Sequence, residues 1–253
     1  MRLAILVLLA LSAQANANGV LSDDQRISSE VLGYELQYRV YLPEHHDPRQ
    51  ETPVIYVTDG QWYISEGRMP RVLDRQIRSG RIVPVIAVFV DSRDPDDLDV
   101  NRRQEQFACN RDYANFFSNE LVPTIEAAYG ASADREQRVI LGVSFGGLNS
   151  ACFGLMANET FGGIAMHSPA LHPVAGLLPA YEQTPRLPLR VFLSTGDMWD
   201  NTATNLHFRS ILRDKGYELK FREVAGSHNW DNWRPLIDDV LLFFFEPTGG
   251  PDR

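Results

Sequence analysis

The chain has 253 residues, of which 44% are hydrophobic and 23% charged, and its formal net charge is -9 at pH 7. That length is enough for one domain with a sizeable core. The acidic balance disfavours nonspecific attraction to nucleic acid or to an anionic membrane surface, so neither is expected as a partner.

The chain opens with one positive charge at Arg2, an apolar run over residues 3–11 and the ending Ala15-Asn16-Ala17. Residues 1–17 therefore read as a signal peptide, its apolar part too short to span a bilayer. Residues 18–253 are then expected to be exported as a single domain, periplasmic or secreted. Tyr34, Leu36, Tyr38, Val40 and Leu42 alternate with polar residues, which predicts an antiparallel N-terminal hairpin strand with one wet face. Residues 53–58 read as a short apolar strand that runs into Asp59-Gly60-Gln61. Residues 82–90 are almost continuously apolar, as a central parallel strand covered on both faces should be.

Residues 91–111 lack clear periodicity, and a loop that long is usually functional or disordered. Arg102, Arg103 and Arg111 follow Asp91, Asp94, Asp96, Asp97 and Asp99 there, which reads as a solvated stretch of balanced charge. Phe116, Phe117, Leu121, Ile125 and Ala128 mark one stripe of a helix beginning near Asp112. From there strands and helices alternate, the pattern of an α/β domain. The Pro-rich residues 169–188 stand where such folds often insert cap or lid elements.

Gly142-Val143-Ser144-Phe145-Gly146-Gly147 directly follows the apolar residues 139–141 and directly precedes a helix-like segment. A serine on so sharp a strand-to-helix turn is a nucleophile elbow, and the flanking glycines leave the room that the turn needs. The hydroxyl requires a base to take its proton. His228 is the candidate, in a loop between the alternating residues 219–224 and a last helix marked by Trp233, Leu236, Ile237, Val240, Leu241 and Phe244.

The order nucleophile, acid, base asks for a carboxylate between them at a strand end. Residues 189–194 form that strand, and Asp197 and Asp200 both lie in the loop behind it. Asp200 is preferred, because Asp197 follows the strand so closely that the turn itself can use it, but both stay open. Oxyanion donors are expected from the N–H of Phe145 and, after the earlier strand, from Gln61.

All four tryptophans fall beside this machinery. Trp62 and Trp199 are the candidates for substrate contact, whereas Trp233 reads as core on the face of the last helix. Cys109 and Cys152 would meet an oxidising compartment after export, as a disulfide or as two buried thiols. His45, His46, His167, His172 and His207 have no accompanying ligand set at metal spacing, so no metal is assigned.

Tyr41-Leu42-Pro43, the strand ending in Asp59-Gly60-Gln61, Glu105-Gln106-Phe107-Ala108-Cys109-Asn110, the glycine-flanked Ser144 and the Gly226 to Arg234 close together resemble the putative-esterase family. That family includes enterochelin esterases, esterase D-type S-formylglutathione hydrolases, feruloyl esterases and mycolyltransferases, and the enterochelin-esterase-like branch is the most similar. The resemblance implies an α/β-hydrolase fold with a mostly parallel sheet and helices on both faces, no cofactor, and a triad of Ser144, His228 and Asp200. It implies a carboxylic ester as the small-molecule substrate, siderophore-like or otherwise aryl or acyl. An acyltransferase, or a ligand-binding member without catalysis, would use the same fold. Which ester is taken, and the oligomeric state, are not given by these residues.

Overall fold

The computed structural model describes residues 18–247, so the expected signal peptide lies outside the described residues. A nine-stranded sheet runs through the molecule. β1 (Val20–Leu21) and β2 (Gln25–Ser28) both pair antiparallel with one edge of β3 (Glu35–Leu42), whose other edge pairs antiparallel with β5 (Ile86–Asp91). From β5 onward the sheet is parallel, in the order β5, β4 (Val54–Thr58), β6 (Arg138–Val143), β7 (Gly163–His167), β8 (Arg190–Gly196) and β9 (Glu218–Val224). The predicted antiparallel start and parallel body are both present.

Strand alternation sorts the apolar residues into two cores. Val54 and Tyr56 of β4 face one side with Ile86, Val88 and Val90 of β5, while Ile55 and Val57 face the other with Ala87 and Phe89. Over the second side pack α1 (Gly60–Ser65), α2 (Met69–Arg78) and α9 (Trp230–Phe245), contributing Tyr63, Leu73, Ile237 and Val240. The first side is covered by α3 (Arg103–Phe107), α4 (Arg111–Phe116), α5 (Val122–Tyr129), α6 (Phe145–Met156), α7 (Leu177–Gln183) and α8 (Thr202–Asp214). Both faces of β4, β5, β6, β7 and β8 are thus buried, which is why residues 86–90 read as an unbroken apolar run, whereas the edge strand β9 is half-exposed. Among the described residues no helix is long and apolar enough to cross a membrane.

The helix predicted from Asp112 is a continuous rod, but its middle, Phe117–Leu121, is π-helical. Pro123 has no N–H to return to the preceding turn, which loosens the ladder there. The Pro-rich stretch is no lid. Its helix α7 sinks Leu177 and Tyr181 into the core, and Tyr181 donates from its hydroxyl to the main-chain O of Ala151 at 2.7 Å. Cys109 and Cys152 are joined as a disulfide, their Cα atoms 5.0 Å apart, which ties the start of α4 to α6.

Candidate active site

The sheet order reverses at β4: the chain passes from β4 to β5 on one side and then back across to β6 on the other. Loops that leave the carboxyl ends of β4 and β6 therefore diverge from a common crevice, where open α/β sheets bind ligands. Asp59-Gly60-Gln61 leaves β4 there, and Ser144 leaves β6. The loops after β8 and β9 supply Asp200 and His228 along the same edge.

Ser144 sits at φ 56° and ψ -113°, a conformation that costs a non-glycine residue free energy and holds its hydroxyl clear of the sheet. The neighbouring glycines permit it: a Cβ on Gly142 would lie 2.1 Å from the backbone of Gly146, and one on Gly146 would lie 2.9 Å from Thr58 Oγ1 and Asp59 Oδ2. The turn is fixed by Ser144 N–H donating to the O of His167 at 2.9 Å and by Ala170 N–H donating to the O of Ser144 at 2.9 Å.

His228 Nε2 lies 2.8 Å from Ser144 Oγ, and its Nδ1 lies 2.7 Å from Asp200 Oδ1. An ionised carboxylate only accepts, so Nδ1 carries the proton and Nε2 faces the serine as the acceptor. Directly after the histidine, Asn229 caps α9 by accepting from the N–H groups of Asp231 and Asn232, so the last helix anchors the loop. Asp197 does not reach the imidazole; its Oδ1 accepts from the Gly226 N–H at 3.0 Å and clasps the two loops together.

Asp200 is held from several sides. Its side chain is 0% exposed, against 31% for that of His228. Oδ1 also accepts from the Asn201 N–H, while Oδ2 accepts from the Gly196 N–H and from the Ser168 hydroxyl at 2.6 Å. Burial alone would push this carboxyl up, but the bonds from His228, Ser168, Gly196 and Asn201 together bring it below the usual carboxylate range. Ser168 Oγ in turn accepts from Trp233 Nε1 at 2.9 Å. Nothing in the sequence signalled this link, because Ser168 and Trp233 are 65 residues apart.

Ser144 and His228 open onto a cleft of about 380 Å³ whose walls include Trp62, Trp230 and Trp233. Trp233 is core, as expected, yet it also borders the cleft and meets the His228 ring edge-on at 4.8 Å. Trp62 lines the cleft. Trp199 does not: its side chain is out in solvent at 92% exposure, on a left-handed backbone at φ 51°. Arg103 also departs from the sequence reading of a solvated charge. It lines the cleft at 18% side-chain exposure and bonds Asp59, which is 0% exposed, through Nε at 2.7 Å and Nη2 at 2.8 Å. Burial holds the Asp59 carboxyl above the usual carboxylate range, and the guanidinium offsets only part of that shift. Arg102 pairs with Asp94 instead.

The two expected oxyanion donors differ in placement. Phe145 is the first residue of α6 and Gln61 the second of α1, so neither main-chain N–H has an acceptor one turn back in its own helix. The Gln61 side chain, however, borders a separate hollow with Gln37, Arg39 and Asp91, away from Ser144. Any contribution from Gln61 falls to its main chain. Gly60 beside it is tightly enclosed, since a Cβ there would lie 2.5 Å from the backbone of Phe89.

Below the site, His167 is fully buried, with the Tyr63 hydroxyl 2.9 Å from Nδ1. Burial pushes this imidazole from 6.5 down to about 3, so the ring is neutral when folded. An unfolded chain takes up a proton there below pH 6.5, so the stability from this group is complete above that pH and is lost as pH falls towards 3. Urea unfolding near pH 4.5 should show a deficit of about 2–3 kcal/mol from this ring relative to pH 7.5. The measurement is the pH dependence of His167→Gln beside the parent: the variant should lose that much less on acidification, and parallel curves would refute the assignment.

The family model described as "Putative esterase" matches residues 29–205, more than half of the chain. The chain belongs to the putative esterase family. The resemblance read from its motifs is borne out, and the relatives whose activity is named are carboxylic ester hydrolases. The uncharacterized protein YjcH of Bacillus subtilis is 27% identical over 237 residues, covering 90% of this chain and 98% of that protein. The iron(III) salmochelin esterase of Escherichia coli is 26% identical over 84% of this chain, which spans only 55% of that relative's length. Among solved structures, a ferulic acid esterase superposes with a TM-score of 0.78 at 21% identity, covering 90% of this chain and 98% of the other. The ferric enterobactin esterase of Salmonella typhimurium gives 0.78 at 20% identity, covering 90% of this chain and 58% of the other. These structural likenesses give the family member its fold: an α/β-hydrolase-type sheet with helices on both faces.

Proposed function

We propose that the protein is an exported serine esterase that cleaves aromatic carboxylic esters through an acyl-enzyme on Ser144. The observation that carries this reading is the unbroken relay at 2.8 Å and 2.7 Å from Ser144 through His228 to Asp200, mounted on a strained turn that opens into an aromatic cleft. Ser144 Oγ attacks the ester carbonyl carbon while its proton passes to His228 Nε2. The oxyanion is stabilised by the N–H of Phe145 at the head of α6, aided by the Gln61 main-chain N–H. When the tetrahedral intermediate collapses, the imidazolium returns the proton to the departing alkoxide, which leaves as the alcohol. Water then attacks the acyl-enzyme and gives a proton to Nε2, and as the second tetrahedral intermediate collapses the imidazolium returns it to Ser144 Oγ while the carboxylic acid is released. Asp200 steadies the transient imidazolium without taking the proton.

The aromatic class is supported by the three indoles in the cleft and by relatives named as enterobactin, salmochelin and feruloyl esterases. Export is supported by the signal-peptide pattern of residues 1–17 and by the Cys109–Cys152 bridge, which an oxidising compartment maintains. Labelling with a fluorophosphonate tests the reading, beside turnover of a panel of aryl, short-acyl, feruloyl and trilactone esters. The label should sit on Ser144 and be lost in Ser144→Ala; equal labelling of that variant would remove the nucleophile from the proposal.

A further inference from the structure

Two walls of the cleft carry charged side chains, Arg103 and Glu66. Arg103 contributes a cation, but its Nε and Nη2 are bound to the buried Asp59 carboxylate and Nη2 also donates to the O of Val143. The guanidinium is wedged beside the rings of Trp62, Phe107 and Phe145, its carbon 5.4–5.6 Å from their centroids. Asp59 therefore offsets only part of the guanidinium's charge. Glu66, at the C-terminal end of α1, borders the same cleft and is exposed. Among the described residues its carboxylate makes no hydrogen bond or ion pair; Arg234 approaches it but donates from Nε to the main-chain O of Glu66, not to the side chain.

We propose that this cleft selects aryl esters that are neutral or cationic and carry a hydrogen-bond donor on the ring, and that Glu66 is the residue that turns anionic aryl esters away. The proposal rests on the serine-esterase reading and narrows its substrate class. The indoles of Trp62 and Trp230 offer faces for an aryl ring. A carboxylate at that wall accepts a bond from a phenolic hydroxyl or an ammonium group and repels a ring carboxylate or a deprotonated catechol.

The test compares kcat/KM for four methyl cinnamates bearing hydroxyl, methoxy, carboxylate or trimethylammonium at the far ring position, at low ionic strength. The parent, Glu66→Gln and Glu66→Lys are measured together with Ser144→Ala. The parent should favour the hydroxyl, methoxy and ammonium esters over the carboxylate ester. The carboxylate-to-methoxy ratio should rise about fivefold in Glu66→Gln and more than about tenfold in Glu66→Lys. The hydroxyl-to-methoxy preference should shrink in both, and added salt should weaken the parent's discrimination. A carboxylate-to-methoxy ratio that Glu66→Lys leaves unmoved overturns the proposal, as does a parent that turns over none of the four. Parent-like rates in Ser144→Ala would instead overturn the serine mechanism, so the two failures are distinguishable.

Discussion

Ser144→Ala and His228→Ala are each expected to lower kcat by about 10⁵–10⁶-fold, with the double variant scarcely worse than either single one. The reason is that the two side chains act as one device. Without the imidazole 2.8 Å away, the hydroxyl remains a neutral alcohol at working pH; without the hydroxyl, the imidazole has no nucleophile to activate. What survives, about 10³–10⁴-fold over water, should come from the N–H groups at the head of α6 and from substrate held against the cleft. Saturating turnover of one aryl ester by the three variants, with matching far-UV circular dichroism, checks this. Losses that multiply in the double variant would mean that the two residues act independently, and the relay would have to be abandoned as a unit.

The parts of the site that could be read from the sequence are those whose physics is local. Gly142 and Gly146 announce the elbow because no Cβ fits where β6 turns into α6, and the strand–loop–helix pattern around His228 needs only neighbouring residues. The central parallel strands were legible for the same reason, since burial on both faces removes polar residues from them, while the edge strand β9 shows itself by alternation. Asp197 and Asp200 were separable only by direction: one carboxylate turns to Gly226 and the other to His228. Arg103 was misread because its partner Asp59 lies 44 residues earlier, while five aspartates in its own loop offered a nearer account of its charge. Trp199 looked like the other tryptophans in composition and in place, but a left-handed backbone at that residue points its ring into solvent. The disulfide was open for a similar reason, as a 43-residue separation says nothing about whether two Cα atoms come within 5.0 Å.

Asp200→Asn is expected to lower kcat by about 10⁴-fold while leaving KM within a few-fold. The amide is nearly the same size, so the loss would be one of proton placement. An asparagine can turn its NH2 toward His228 Nδ1, and a ring that accepts at Nδ1 carries its proton on Nε2, where it cannot receive the one from Ser144. The surrounding donors favour that outcome: the N–H groups of Gly196 and Asn201 and the Ser168 hydroxyl all need an acceptor, and an amide has one oxygen to offer them instead of two. Ser168→Ala removes one of those donors while leaving the carboxylate in place, so its cost should be nearer tenfold, chiefly in kcat, from a less firmly oriented acid. Asp197→Asn is the control. Its side-chain oxygen can still accept from the Gly226 N–H, so turnover within about threefold of the parent is expected. A large loss in Asp197→Asn with a small one in Asp200→Asn would mean that the orienting carboxylate comes from the strand-proximal aspartate during turnover. The 2.7 Å contact to His228 would then not be the one that catalysis uses.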